Sequence, residues 1–310
     1  MKSRRGIALF AALSLAMVVG LLVTGAVATT RVMQRGWRVE RTDAELTMDA
    51  DAALSAVLAK QHALGLADTP LGQPVPLSIP LANGPGTASV SVTRLPAGVL
   101  WMVAEVSRSD GGYRRANLVA RFPSVLHGNA AIMTRGDVEL ASDVSIRSDS
   151  VGEADCDDPR GAVVDVVSGA KVASADSSVA VSSGEASDSA AYLLTAFQLA
   201  ALRRTGRFDH VLGDTTIAGG AFDGILVVDG ALTITGPFTA TGLLVARGPI
   251  VAEGVSVTGS VRSFAQPGIG KLAIKFSGAS IRYSRCVVER AFRRALDAHP
   301  VARRSWAEIF

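Results

Sequence analysis

Four histidines, two cysteines and a scatter of aspartates are the residues of this chain with the types to do chemistry. Their spacing argues against most of it. His62, His127, His210 and His299 lie far apart in unrelated contexts. No HExxH, CxxC, phosphate-loop or dinucleotide-fold glycine pattern accompanies them. The stretch GVSVTG around Ser256 is not a nucleophile elbow. The stretch GEADCDDPRG holds Glu153, Asp155, Asp157 and Asp158, which are oxygen ligands suited to Ca²⁺. It lacks the alternating spacing and mid-loop glycine of an EF-hand, so it reads as a solvated acidic turn. Asp209, Asp214, Asp223 and Asp229 are the candidates for a polysaccharide-cleaving carboxylate set, yet nothing in their spacing separates them from turn aspartates. The expectation is no enzyme, no catalytic residue, no metal and no cofactor.

The two cysteines, Cys156 and Cys286, allow one pairing. In an exported body a disulfide between them would close a loop of about 130 residues and stabilise by a few kcal/mol in the chain-entropy model. Two unrelated buried thiols are the alternative. A net charge of +3 with 5 % aromatic residues leaves no basic stripe interleaved with stacking side chains, so no nucleic-acid partner is expected.

The elements that must carry whatever function remains begin at the N-terminus. Lys2, Arg4, Arg5 and Gly6 form a basic leader over residues 1–6, followed by 24 uncharged residues from Ile7 to Thr30. As a helix that run spans about 36 Å, enough to cross a bilayer and longer than the apolar core of a secretory signal. A transmembrane helix is expected over 7–30; cleavage near Ala26 or Ala28 is the rival. Basic residues flank both ends, with Arg31, Arg35, Arg38 and Arg41 on the far side, so charge bias pulls both ways. Retention of the short tail inside the cell and export of the long body is favoured. An amphipathic helix follows over 31–65, with Val32, Met33, Trp37, Leu46, Ala50, Ala53, Leu54, Val57 and Leu58 at helical spacing and Gly65 and Pro70 as its stop.

Arg4-Arg5-Gly6 followed by Ile7-Ala8-Leu9-Phe10 resembles the cleavage site of type IV prepilins and type II secretion pseudopilins. The resemblance implies a prepilin peptidase cut between Gly6 and Ile7 and an apolar helix that serves as both anchor and assembly core. Major pilins carry a glutamate five residues into the mature chain, and that position here is Ala11. Its absence is similar to PilX-like minor pilins and the K-type pseudopilin. The implied partners are other pilin or pseudopilin subunits, the prepilin peptidase and the lipid bilayer, with surface glycans as a further candidate. The implied location is the bacterial inner membrane, single-pass, with the body in the periplasm or in a pilus.

An antiparallel meander is expected over 75–123, from strands at Thr87–Leu95, Gly98–Arg108 and Tyr113–Phe122 separated by glycine-rich turns. Beyond Pro123 the composition shifts to Gly, Ser, Val and Asp. Glycines recur every six residues at Gly224, Gly230, Gly236, Gly242, Gly248 and Gly254. Large apolar residues stand two positions after the first five (Leu226, Leu232, Phe238, Leu244, Ile250), and smaller ones four after (Val228, Ile234, Ala240, Ala246, Ala252). Units this short must stack to bury a core. A Gly-rich β-solenoid is expected over 124–283, with an inserted helix at 188–205 and a meander of six-residue arms as the runner-up. The glycine-period strands are similar to those of bactofilin-like polymer-forming proteins. A terminal helix and tail over 284–310 is expected to cap one end of the stack, with a solvated basic face. The fold class is thus α+β and mainly β: a long N-terminal helix, a meander, then short-repeat strands and a closing helix. The function expected is a minor pilin-like structural protein with an adhesive or spacer module. The alternative is a tethered envelope solenoid that binds glycans or itself.

Overall fold

The structure is a computed structural model of the 310-residue chain. It describes residues 4–81, 86–108, 111–123, 130–147, 164–168, 172–174, 179, 181–182, 208–265, 272–301 and 307–308. The expected helix at 188–205 and Cys156 lie outside the described residues.

Helix α1 (Arg4–Ala59) is one uninterrupted rod of 56 residues. It ends earlier than the 65 expected from sequence. Lys60 to Gly65 form hydrogen-bonded turns, and Gly65 takes a left-handed φ of 64° that only glycine adopts cheaply. The earlier stop frees Gln61 and His62 to bond elsewhere. The first part of the expected apolar stripe is not covered: Val32, Met33 and Trp37 are exposed, and burial begins at Leu46.

From Leu46 the helix lies on an antiparallel sheet of β1 (Pro74–Pro80), β2 (Thr87–Leu95), β3 (Val99–Ser107) and β4 (Tyr113–Arg121), paired in that order. Alternation puts Val90, Val92, Leu100, Met102 and Leu118 on one face, against Leu46, Ala50, Leu54 and Val57 of α1. Strand β1 was missed because PVPLSIP reads as a breaker. Prolines are tolerated at a sheet edge, where the lost N–H has no partner to miss.

Two further sheets are built from parallel strands. The chain alternates between them, running through β12 (Thr215–Ile217), β13 (Gly220–Val228), β14 (Leu232–Ile234), β15 (Phe238–Ala246), β16 (Ile250–Glu253), β17 (Val255–Ser263), β18 (Leu272–Ser277) and β19 (Ser280–Tyr283). Of these eight, the odd-numbered strands join one sheet and the even-numbered ones the other. Gly224 lies beside Gly242, Gly242 beside Gly259, and Leu232 beside Ile250. A residue therefore meets the one about three hexads further on, not its counterpart in the next hexad. The meander of six-residue arms, which would pair neighbouring hexads antiparallel, does not form. Both apolar positions of every hexad point into one core between the two sheets. Earlier segments join the same stack: β5 (Ala130–Thr134) lies beside β17, β6 (Asp137–Leu140) beside β18, β7 (Ser145–Arg147) beside β19, β8 (Val164–Ser168) beside β5, β9 (Val172–Ser174) beside β6, β10 (Val181–Ser182) beside β8 and β11 (Asp209–Val211) beside β13.

Helix α2 (Arg285–Ala295) opens on Ser284, whose Oγ accepts from the Val287 N–H. It does not cap an end of the stack. It crosses β13, β15 and β17, and Val288, Ala291, Phe292, Ala295 and Leu296 pack on Ile225, Val227, Leu243 and Val245. The signal was in the sequence: ILVV and LLVA are continuous apolar runs, which suit strands covered on both faces. The tail then returns to the first sheet, where β20 (His299–Pro300) and β21 (Ala307–Glu308) pair with β4.

Two substitutions test this packing. A Cβ at Gly242 would overlap the Gly224 carbonyl oxygen, at a φ of 125°. Gly242→Ala is expected to cost about 3 kcal/mol or more in a denaturant titration, against about 1 kcal/mol for Gly65→Ala, whose Cβ meets open space. Arg262 continues the Val227 and Val245 row beneath α2; it is buried, its Nε has no hydrogen-bond partner, and desolvation lowers its pKa to about 10. Arg262→Met should be neutral or stabilising by about 1 kcal/mol, because a buried, desolvated cation is replaced by an apolar side chain of similar length.

Candidate functional site

The feature that sets this chain apart is the N-terminal half of α1. Every side chain from Ala12 to Arg41 is exposed, including Leu13, Leu15, Leu21, Leu22 and Val23. The helix is long and apolar enough to cross a membrane. Its three threonines are satisfied within the helix. The hydroxyl of Thr24 donates to the Gly20 carbonyl at 2.5 Å, that of Thr29 to Gly25 at 2.9 Å, and that of Thr30 to Ala26 at 2.8 Å. Internal satisfaction is what a hydrocarbon solvent demands, since it offers no hydrogen-bond partner.

The C-terminal half of α1 is held to the sheet by apolar packing and a seam of charge. Arg108, just past β3, donates to Glu45 at 2.9 Å and to the buried Asp49 at 3.1 Å, and Arg114 of β4 pairs with Asp43. Arg41 reaches Glu45 at 3.0 Å one turn away. The hydrogen bond from Arg108, then that from Arg41, holds the Glu45 carboxyl below its ordinary value.

The expected cleavage bond, Gly6–Ile7, lies in the first turns of α1. Cys286 sits buried in the first turn of α2 and is disulfide-bonded. The histidines and aspartates do not converge. His62 pairs with Asp297 at 2.8 Å, while His210 pairs with Asp229 at 2.8 Å and stacks on Phe208. Asp229 also meets Arg247 at 3.1 Å, Asp214 accepts from the Ala231 N–H at 2.7 Å, and Asp223 pairs with Arg294 at 2.9 Å. His299 lies in β20, and His127 and the Glu153–Asp158 turn lie outside the described residues.

Sequence reasoning missed the joint between the two bodies. The basic face of α2 is not solvated throughout. Arg294 bridges Asp68 and Asp223, each at 2.9 Å, and the buried Arg293 donates to the Ala67 carbonyl. Gln61 accepts from the Ala298 N–H at 2.9 Å and donates to Asp297 at 3.3 Å. The sequence offered only Arg293-Arg294 in the last helical turn, a pattern equally suited to balancing the helix dipole.

No protein-family model matches the sequence, and no curated protein matches it. Among solved structures, the competence-associated pilin ComZ from Thermus thermophilus aligns at 13 % identity over 86 % of this chain and 96 % of that one, with a TM-score of 0.24.

The seam has a pH signature. A depressed carboxylate contributes stability that is complete above its ordinary value of 4.5 and is lost as the pH falls through the lowered one. Arg108→Ala leaves Asp49 buried without this partner. The variant is expected to melt a few degrees lower at neutral pH and to lose less further stability below pH 4.5 than the parent, as read by thermal unfolding at stepped pH.

Proposed function

We propose that this chain is a membrane-anchored, pilin-like structural subunit of the PilX-type minor pilin or K-type pseudopilin kind. One observation carries the reading. A single helix is divided into an uncovered apolar half and a half packed on an antiparallel sheet. The first half suits a bilayer before assembly and neighbouring subunits' helices after it. The parallel-strand body is read as a β-solenoid that serves as spacer or adhesive module, with a Cys156–Cys286 disulfide tying it to α2. The body lies beyond the inner membrane, in the periplasm or the fibre.

Processing by a prepilin peptidase at Gly6–Ile7 belongs to the same proposal. Arg4 and Arg5 stand at the positive end of the helix dipole, and the first turn carries no acidic residue to offset them. That turn opens at low cost, which suits a protease that must bind extended backbone. The second reading is a membrane-tethered envelope solenoid for glycan binding or self-association, in which the basic leader is retained and Gly6–Ile7 is not cut.

Mass spectrometry of the mature N-terminus, from cells co-expressing a prepilin peptidase, separates the two. A chain beginning at Ile7, and blocked by Gly6→Val, is expected. A start near Ala28 would make it a secreted protein, and an intact Met1 would leave the tethered reading and end the pilus one.

A further inference from the structure

Arg41, Arg108 and Arg114 are each paired with a carboxylate of α1. Arg31, Arg35 and Arg38 are different: their side chains are exposed, and none has an ion-pair partner among the described residues. Their spacing of four and then three residues brings them into an arc of about 60° on the helix, while Glu40 falls on the opposite side. They begin at the residue after the uncharged run and extend over about 10 Å of helix, whereas packing on the sheet starts only at Leu46. Trp37, 75 % exposed, lies in the same segment.

The placement has a cost that needs a return. With the body exported, these three cations sit on the side of the membrane that basic residues normally avoid. The headgroup layer is roughly 5–8 Å deep on each face of the hydrocarbon, and an arginine stem lets its guanidinium reach back along the helix into that layer. A guanidinium fork matches phosphate oxygens in pairs, and tryptophan favours the same interfacial depth.

We propose that Arg31, Arg35 and Arg38 form a binding face for the phosphodiester headgroups of anionic lipids in the leaflet nearest the body. The proposal rests on the reading of α1 as a membrane span. Its ligand is a lipid phosphate; an acidic surface on a neighbouring subunit is the competing occupant. The face holds the unassembled subunit at a set depth and keeps the sheet clear of the membrane by the length of the 31–41 segment.

The test uses the full chain reconstituted in bilayers of phosphatidylcholine and phosphatidylglycerol, with spin-labelled forms of each lipid reporting the fraction held at the protein. The expected result is selection of phosphatidylglycerol by at least about threefold at low salt, weakened at high salt. The R31Q/R35Q/R38Q variant should lose that selection, while K2Q/R4Q/R5Q keeps most of it. Equal selection by the parent and R31Q/R35Q/R38Q overturns the proposal. So does a variant that keeps its lipid selection but loses self-association, which would assign the face to an acidic neighbour. Absence of any protein-held lipid, with either label, would instead defeat the membrane-span reading itself.

Discussion

The packing of Leu46, Ala50, Leu54 and Val57 onto β2, β3 and β4 is the interaction on which the rest of the molecule depends. It buries one face of half a helix and, because the helix is rigid, fixes the direction of the half it does not touch. Asp43, Glu45 and Asp49 add polarity to that contact. Their partners stand at one end of the β3–β4 pair, so they set the height at which the helix leaves the sheet. Above that height, nothing among the described residues covers the apolar side chains. They stay uncovered along a helix long and apolar enough to cross a membrane.

Much of the architecture was legible because its periodicities are clean. Strands β2, β3 and β4 fall where alternation places them, and both apolar positions of the glycine hexads lie in the core. What the hexads did not reveal was the pairing. A repeat of six specifies which residues face inward, while the partner of each strand depends on how many corners the chain turns before it returns. Proline hid β1, since a residue that breaks a central strand is harmless at an edge. The cover over the stack was hidden differently. ILVV and LLVA announced two buried faces, but what would cover the second lay some forty to seventy residues on. Of the candidate chemical residues, sequence spacing did not foretell that His210 would meet Asp229 or that His62 would meet Asp297, because each pair is made only by long-range folding. The Arg4-Arg5-Gly6 motif is local and readable, and the fold bears on it only by placing it in the first turns of α1.

Helix α2 joins what the composition divides. Its apolar face belongs to the parallel stack and its basic face to the turns after α1, so one element of eleven residues is shared by both bodies. Arginine suits this role because one guanidinium reaches two carboxylates, here Asp68 and Asp223, on separate units. The tail that follows, paired with β4, gives the chain a second return to the first sheet.

That joint also determines how the molecule would carry tension. Besides the backbone that runs from β4 on to β5, the antiparallel sheet and the parallel stack are joined among the described residues by α2 and the tail that follows it. A pull along the N-terminal rod would load hydrogen bonds and packing at α2 before it reached the interior of the stack, whose strands are stitched over their whole lengths. The Arg294–Asp68 pair would act as a fuse, yielding first and leaving α2 seated on the stack.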